Sequence, residues 1–570
     1  MKKITIFLML IFLLMLGGCT GRVHPTAEII VDKQNINLQV NQSYSLGAKV
    51  INAESTLDLS YRTSDQAVAT VANNGLIVAK KVGVAEITIF LTKYTKTKTV
   101  ISVNVLEETT SNTLNIFTLN DFHGAVFLDD DEAGISRIGK YLLDQKTNYP
   151  HQTILISAGD MFQGSAVSSL TRGGLVVDAM NAIGFDAMTI GNHEFDWGVE
   201  GILRFIDGDP SNKEASFPML GANIYQISKN GLAPWAQPYT VITRGNVKIG
   251  IIGLMGESQK RDILASFVED YLFTDKMEAI KKYTKILRNE EDCDIVIVSI
   301  HDDSSAINSQ IANLSGEYHV DAVINGHTHR YYAAEESRQN GVPLPYVQAG
   351  DNGRYIGKIT LTIDPNTKKV IDVSAENIRT ITNCPTESPL INEIINNYPN
   401  EIAIANEVLG TAGQDIYKEE AITWAATALA KQGDSQIGII NSGGIRSGAF
   451  PINNGSTVTY GHIFKMMPFE NKVVTLKMTG DELFNLFRSG LRFSKNVDTY
   501  NRTIDGIAIV GSQSYQVATI DFVYENYAGY FSLGTNVVIT DDLFRDCLAQ
   551  EVKATVLALG KWYLQRPIND

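Results

Sequence analysis

Residues 185–198 read FDAMTIGNHEFDWG, and this stretch decides the fold. Ala187–Ile190 is a short apolar run of strand type that ends abruptly in Gly191, Asn192, His193, Glu194 and Asp196. A buried strand that releases polar side chains at its carboxyl end is the pattern of layered α/β proteins, where ligands gather at the strand ends. One such cluster is weak by itself, because a histidine after a glycine often caps a turn.

Working outward, the pattern recurs. Leu114–Asn120 runs into Asp121 and His123, and Thr153–Ser157 runs into Gly159 and Asp160. Ile295–Ile300 runs into His301 and Asp302, and Ala322–Ile324 runs into Asn325, Gly326, His327 and His329. Helical segments alternate with these runs, which predicts sheet layered with helix. Of the nine histidines in the chain, His123, His193, His301, His327 and His329 fall in these clusters. Imidazole nitrogens mixed with Asp and Asn oxygens suit Zn, Mn or Fe rather than a thiolate structural site. Alternate residues of Asp121-Phe122-His123 and of His327-Thr328-His329 share one side of an extended strand end. Asp160 is placed to bridge two ions. A metal pair ~3.5–4 Å apart stabilises both the attacking and the leaving oxygen of a phosphoryl displacement.

The order D-x-H, G-D, G-N-H-E, H, G-H-x-H resembles the calcineurin-like metallophosphoesterases. Asn120–Gly124, Ala158–Asp160, Thr189–Gly198 and Leu220–Asn223 narrow the likeness to the 5′-nucleotidase branch, which also holds UDP-sugar hydrolases and 2′,3′-cyclic-nucleotide phosphodiesterases. The resemblance covers roughly residues 114–570. It implies two divalent ions (Zn, Mn or Co), the first taking Asp121, His123, Asp160 and His329, the second Asp160, Asn192, His301 and His327. It implies that His193 polarises the phosphate or protonates the leaving oxygen, oriented by Asp196. Glu194 and Asp302 read as neighbours of the site rather than ligands, and Gln348, in Val347–Gly350, as a residue close to it.

Further on, Asn441-Ser442-Gly443-Gly444-Ile445-Arg446 combines glycines that let backbone approach a ligand with an arginine fork for phosphate or carboxylate. It resembles the family's substrate motif, in which Asn441 would contact the nucleoside and Arg446 the anionic groups. Met467-Pro468-Phe469-Glu470-Asn471 resembles its P-F-x-N segment, with Phe469 stacked on the base and Tyr530 expected as the second aromatic. Two departures stand out. The family's R-x-x-E-x-x-L-G-N is replaced by Tyr417-Lys418-Glu419-Glu420-Ala421-Ile422-Thr423-Trp424, where Lys418 is a poorer, point-charge substitute for arginine. The family's G-G-D-G-Y appears as Asn526-Tyr527-Ala528-Gly529-Tyr530. Both predict weaker or shifted nucleoside monophosphate binding.

The chain starts with Lys2 and Lys3 before an apolar run from Ile4 to Leu16, of secretory type and shorter than the ~20 residues that span a bilayer. Leu16-Gly17-Gly18-Cys19 resembles a bacterial lipobox, implying lipidation of Cys19 and a lipid-anchored protein on the extracytoplasmic face of the cell membrane. Residues 26–106 alternate short β-branched runs with turn signals, including Asn74-Gly75, and predict a hairpin-rich sandwich. Tyr61–Asp65, Val68–Val71, Asn74–Leu76 and Gly83–Thr88 resemble the bacterial Ig-like group 2 family, whose modules act as spacers or bind surface polymers.

With 570 residues, the chain is long enough for about three or four domains. A net charge of −15 excludes a protein that coats nucleic acid, and four cysteines exclude a disulfide scaffold. Cys293, Cys384 and Cys547 read as structural thiols. The expected order is a leader (1–18), an all-β Ig-like domain (26–106), a connector (107–113), a four-layer α/β metallophosphoesterase domain (114–364), a helical linker (365–405) and an α+β 5′-nucleotidase C-terminal domain (406–570). The expected reaction is hydrolysis of a nucleoside monophosphate to nucleoside and phosphate. A cyclic phosphodiesterase or UDP-sugar hydrolase is the alternative, and a non-catalytic surface adhesin the competing reading from another class.

Overall fold

The computed structural model describes residues 27–40, 42–52, 57–106, 113–209, 211–302, 305–339 and 341–564. The leader, Cys19 and all but the last residue of the connector lie outside the described residues. No helix among the described residues is long and apolar enough to cross a membrane.

The N-terminal module is all β. One sheet orders Asn35–Gln39, Tyr94–Leu106, Gly83–Leu91 and Leu59–Thr63; another orders Ser43–Ser45, Leu76–Ala79 and Ala69–Val71. Period-2 alternation buries Ala85, Ile87, Ile89 and Leu91 along one strand, facing Ile101, Val103 and Val105 of the core. Asn74-Gly75 forms the anticipated hairpin, with Gly75 at φ +83° and Val71 opposite Ile77.

The central domain stacks two six-stranded sheets. The first runs Met219–Leu220, Ala187–Thr189, Thr153–Ser157, Thr113–Leu119, Tyr355–Ile363, Val370–Arg379, the first four parallel and the last two antiparallel. The second runs Tyr239–Arg244, Val247–Met255, Ile295–His301, Ala322–Asn325, Leu344–Ala349, Tyr331–Glu336. Ile116, Ile154 and Ile156 meet Ile249, Ile251, Ile297 and Ile324 between the sheets. Helices Gly134–Asn148 and Gly174–Ile183 cover one outer face, and Lys276–Asn289 and Ser305–Ala312 the other. The result is four layers. Burial on both faces is why Ile295–His301 is apolar at five of its seven positions and buried throughout. Lys276–Asn289 instead buries Ile280, Tyr283 and Leu287 at helical spacing, and the Asp275 side chain caps its start by accepting from Glu278 N–H.

The expected helical linker needs correction at its start. Val370–Arg379 is an edge strand of the first sheet, paired antiparallel with Tyr355–Ile363. Asp364 makes the turn between them, its carboxylate accepting from Asn366 and Thr367 N–H at 2.9 and 2.8 Å. Helical structure begins only at Thr380, with Pro389–Asn396 and Pro399–Ala405 following. In the C-terminal domain a five-stranded sheet orders Arg492–Phe493, Ile437–Ile440, Ser514–Ile520, Lys472–Thr479 and Thr535–Leu543. Helices Lys418–Gln432 and Phe544–Leu559 pack on it through Leu429, Leu548 and Val552.

Candidate active site

The carboxyl ends of the parallel strands from both central sheets meet at one edge, and the chain turns sharply as it leaves each. Asp121, His123, Asp160, His327 and His329 all take left-handed backbone, with φ between +48° and +80°. Such residues cost roughly 1–3 kcal/mol each and persist only where the surroundings over-determine them, as at functional sites. Gly159 sits among them at φ +91°, where a Cβ would stand 2.8 Å from His301 Nδ1. Side chains distant in sequence converge into two groups, Asp121 with His123 and His329, and Asp160 with His301 and His327, each with donor atoms within 4.8 Å of one another. The Asn192 amide oxygen lies 3.2 Å from His301 Nε2 and 3.0 Å from His327 Nδ1. All seven expected ligands are therefore brought together.

The donor set fits two divalent cations. His123 Nδ1 is engaged by the Gln163 carbonyl at 2.9 Å, which turns its Nε2 to within 3.0 Å of His329 Nε2. The two nitrogens are within hydrogen-bond distance, and both could face a bound cation. Burial, then His329 and His193, holds the His123 imidazole well below its ordinary pKa, and burial lowers His329 to about 4. Neutral imidazole is the form that binds metal. Burial also pushes Asp121 up to about 7, whereas His301 and His193 overcome burial to hold Asp160 well below the carboxylate range. Asp160 in turn raises His301 to about 10 against burial.

A shell of buried polar residues fixes these ligands, and the sequence exposed it only in part. Glu194 accepts from the backbone N–H of Asp160, Met161 and Gly191 at 2.9, 2.9 and 2.7 Å, tying two ligand loops together. Gln348 accepts from Thr328 Oγ1 and Arg330 N–H and donates to the Gly326 carbonyl, all at 2.9 Å, and so holds the His327–His329 turn without facing the ligands. Asp302 pairs with Lys276 at 2.8 Å. Asn120 is a residue the sequence reading quoted without a role. Its amide donates to Asp121 Oδ2 and to the Gly350 carbonyl, both at 2.7 Å. Asp351, 3.6 Å from His329 Nδ1, was likewise missed. Only contact with the ligands distinguishes such residues, and contact is not written in local sequence.

His193 Nδ1 lies 2.9 Å from Asp196 Oδ2, and its backbone N–H donates to Asp160 Oδ1 at 2.8 Å. Burial opposes protonation of His193, but Asp196 and Asp160 raise its pKa above the ordinary value. From the C-terminal domain, Arg446 Nη2 donates to His193 Nε2 at 2.6 Å, and its guanidinium carbon stands 5.0 Å from the Phe469 ring centre. The Phe469 ring centre is 5.9 Å from that of His193. Together with Asn441, Gly443 and Gly444 these residues line a cleft of about 540 Å³ that opens onto Asp160, Asn192 and His327. The Asn441 amide oxygen is buried there with no hydrogen-bond partner among the described residues.

Tyr530 is a correction. It sits on the short helix Ala528–Phe531, is 38% exposed and does not line this cleft, while the adjacent Phe531 is buried in the domain core. Phe522 lines the cleft instead, because helix Asp521–Asn526 starts directly where strand Ser514–Ile520 ends. The altered motif after it serves another purpose. The Asn526 amide donates to the carbonyls of Arg261 and Ile263 at 3.0 and 2.7 Å and accepts from Ala265 N–H at 3.0 Å, while Glu525 accepts from Ser266 N–H at 2.9 Å. This joins the two domains along one side of the cleft. His462 caps helix Tyr460–Met466, His319 pairs with Arg338 and Asp321, and the three described cysteines are free and buried.

Two Asp/His groups at the carboxyl edge of a four-layer α/β fold, faced by an arginine and an aromatic cleft, define a metal-dependent phosphoester hydrolase. A calcineurin-like phosphoesterase family matches residues 114–331, a 5′-nucleotidase C-terminal domain family residues 404–533, and a bacterial Ig-like domain (group 2) family residues 25–102. The chain thus combines a calcineurin-like phosphoesterase domain with a 5′-nucleotidase C-terminal domain and an N-terminal Ig-like module. An apyrase of Tabanus yao is 28% identical over 463 residues, covering 72% of this chain and 77% of that protein. A cell wall protein of Listeria monocytogenes is 26% identical over 506 residues; these are 73% of this chain and 64% of that protein, so the chain spans less than two thirds of that relative. The crystal structure of a 5′-nucleotidase precursor from Thermus thermophilus superposes with a TM-score of 0.65 over 78% of this chain and 96% of that one. At 20% identity that likeness shows the fold alone.

Proposed function

We propose that the protein hydrolyses nucleoside 5′-monophosphates to nucleoside and phosphate. The observation that carries the reading is the aromatic cleft opening directly onto the clustered Asp and His side chains, with Arg446 between them. Asp121, His123, Asp160 and His329 would hold one divalent ion, and Asp160, Asn192, His301 and His327 the second. The ions, when bound, would neutralise charge building on the phosphoryl group. The chain's own residues do the rest. Arg446 offers a planar fork to the phosphate, and a phosphate entering between Arg446 and His193 would receive hydrogen bonds from both. His193, held by Asp196, supplies the proton to the departing O5′. Phe469 and Phe522 present aromatic faces to the base, and the unpaired Asn441 oxygen can accept from a base or ribose donor. Stacking tolerates any base, in keeping with the departures at residues 417–424 and 526–530.

The lipobox-like leader supports anchoring through a lipid on Cys19, with the enzyme at the cell surface; the likeness to a cell wall protein supports the same location. In this reading the Ig-like module is a spacer or contacts surface polymer. The test is phosphate release from AMP, a 2′,3′-cyclic nucleotide and UDP-glucose with Zn, Mn or Co, alongside elemental analysis. Two metals per chain and release from AMP are expected. A folded protein that binds no metal and releases no phosphate would return the chain to the adhesin reading.

A further inference from the structure

We propose that a second cavity, on the other side of Arg446 from the aromatic cleft, is a subsite for the second nucleoside of a phosphodiester. The proposal rests on the phosphoesterase reading above and extends its substrate class. The cavity measures about 620 Å³, as large as the aromatic cleft. His329, Gly443 and Arg446 border both spaces, Asp160, Asn192, His193 and His327 border only the first, and His123 only the second. A phosphorus atom held between the two Asp/His groups therefore has one nucleoside-sized space on each side. A monoester fills one of them. A diester fills both.

The second space has the features of a built site. Gln163 lines it at 1% exposure, and both its amide nitrogen and its amide oxygen lack a hydrogen-bond partner among the described residues. A buried polar group left unpaired costs about 1–3 kcal/mol, and native proteins rarely tolerate it without a reason. A donor and an acceptor side by side match the hydroxyl-rich edge of a ribose or the amide edge of a base. Phe127 and Leu128, 44% and 50% exposed, add an apolar wall at the same cavity, suited to the flat face of a base. The departure from the family motif at residues 417–424 falls here as well: Lys418 lines this cavity, its ammonium donating to Ser447 Oγ at 2.9 Å, and not the aromatic cleft.

The placement of His193 decides which bond breaks. It borders only the aromatic cleft, so the arm lying there leaves and the arm in the second cavity stays on phosphorus. For a 3′,5′-dinucleoside monophosphate, the oxygen of water bonds to phosphorus and the P–O5′ bond breaks with its electron pair going to O5′. One proton of the water ends on O5′ by way of His193, the other on the new phosphate or in solvent. The products are a nucleoside and a nucleoside 3′-monophosphate.

The test is hydrolysis of adenylyl-3′,5′-adenosine beside AMP by the metal-loaded full chain, with products separated by chromatography. The wild type is expected to give adenosine and 3′-AMP. The double variant Phe127→Ala/Leu128→Ala is expected to lower kcat/KM on the dinucleotide at least tenfold, mainly through KM, with AMP turnover within twofold of wild type. Turnover of AMP without turnover of the dinucleotide, 5′-AMP as the product, or equal losses on both substrates would overturn the subsite and leave the monoesterase reading standing. Failure on both substrates by the wild type would refute that reading and this proposal with it.

Discussion

Replacing Asp196 by asparagine removes the charge that holds His193 and little else, because the two side chains are nearly isosteric. The bond at stake is 2.9 Å long, part-buried and ionic when the imidazole is protonated. A hydrogen bond to a charged group contributes roughly 1.5–3 kcal/mol, which at about 1.4 kcal/mol per factor of ten corresponds to a kcat lower by roughly 10- to 150-fold. The loss should depend on the leaving group. Alkoxide O5′ of AMP needs a proton as the bond breaks, whereas nitrophenolate leaves unassisted. Asp196→Asn should therefore cut kcat on AMP by the full factor and on p-nitrophenyl phosphate by less than threefold. The pH profile adds a sign. Asp196 raises the pKa of His193, so its neutralisation should move the alkaline limb of kcat for AMP to lower pH. Steady-state kinetics on both substrates from pH 5 to 9 decide it. Equal losses on the two substrates would mean that Asp196 shapes the site without serving proton transfer, and the reasoning would be refuted.

Other expectations follow from the same geometry. Asp160→Ala should abolish turnover while circular dichroism stays native; a folded variant with wild-type activity would break the two-metal assignment. Phe469→Ala should raise KM for AMP roughly 5- to 150-fold, since a stacked base contributes ~1–3 kcal/mol, with a smaller effect on p-nitrophenyl phosphate. Glu194→Ala strands three buried N–H donors, each worth about 1–3 kcal/mol, and should lower unfolding stability in urea by at least about 3 kcal/mol and weaken metal binding; an unchanged midpoint would contradict the proposed tie between the loops. Chelation of the metals should lower the thermal midpoint, because ions at a hundred times their Kd stabilise the native state by about 2.7 kcal/mol.

Much of the metal site was legible before any coordinates. Each candidate ligand follows an apolar strand, and strand ends in a layered α/β fold point to one edge, so pattern alone flagged Asp121, Asp160, Asn192, His301 and His329, while their division between two ions came from the family resemblance. The Asn74-Gly75 hairpin was equally local, since its turn chemistry is carried by two residues. The strand Val370–Arg379 was misjudged because an edge strand with one exposed face carries a weaker signal than a buried one.

Residue type and strand-end position pointed to a layered α/β domain and to its clustered Asp, Asn and His donors, and the likeness of Asn441–Arg446 to a family motif added the arginine. Three-dimensional packing was needed to show that Phe522 and not Tyr530 reaches the cleft, that Glu194 and Asn120 brace the ligand loops, and that Gln163 looks into a second cavity. Each depends on the direction of a side chain relative to elements that can lie hundreds of residues away. Packing sets that direction, and local periodicity does not encode it.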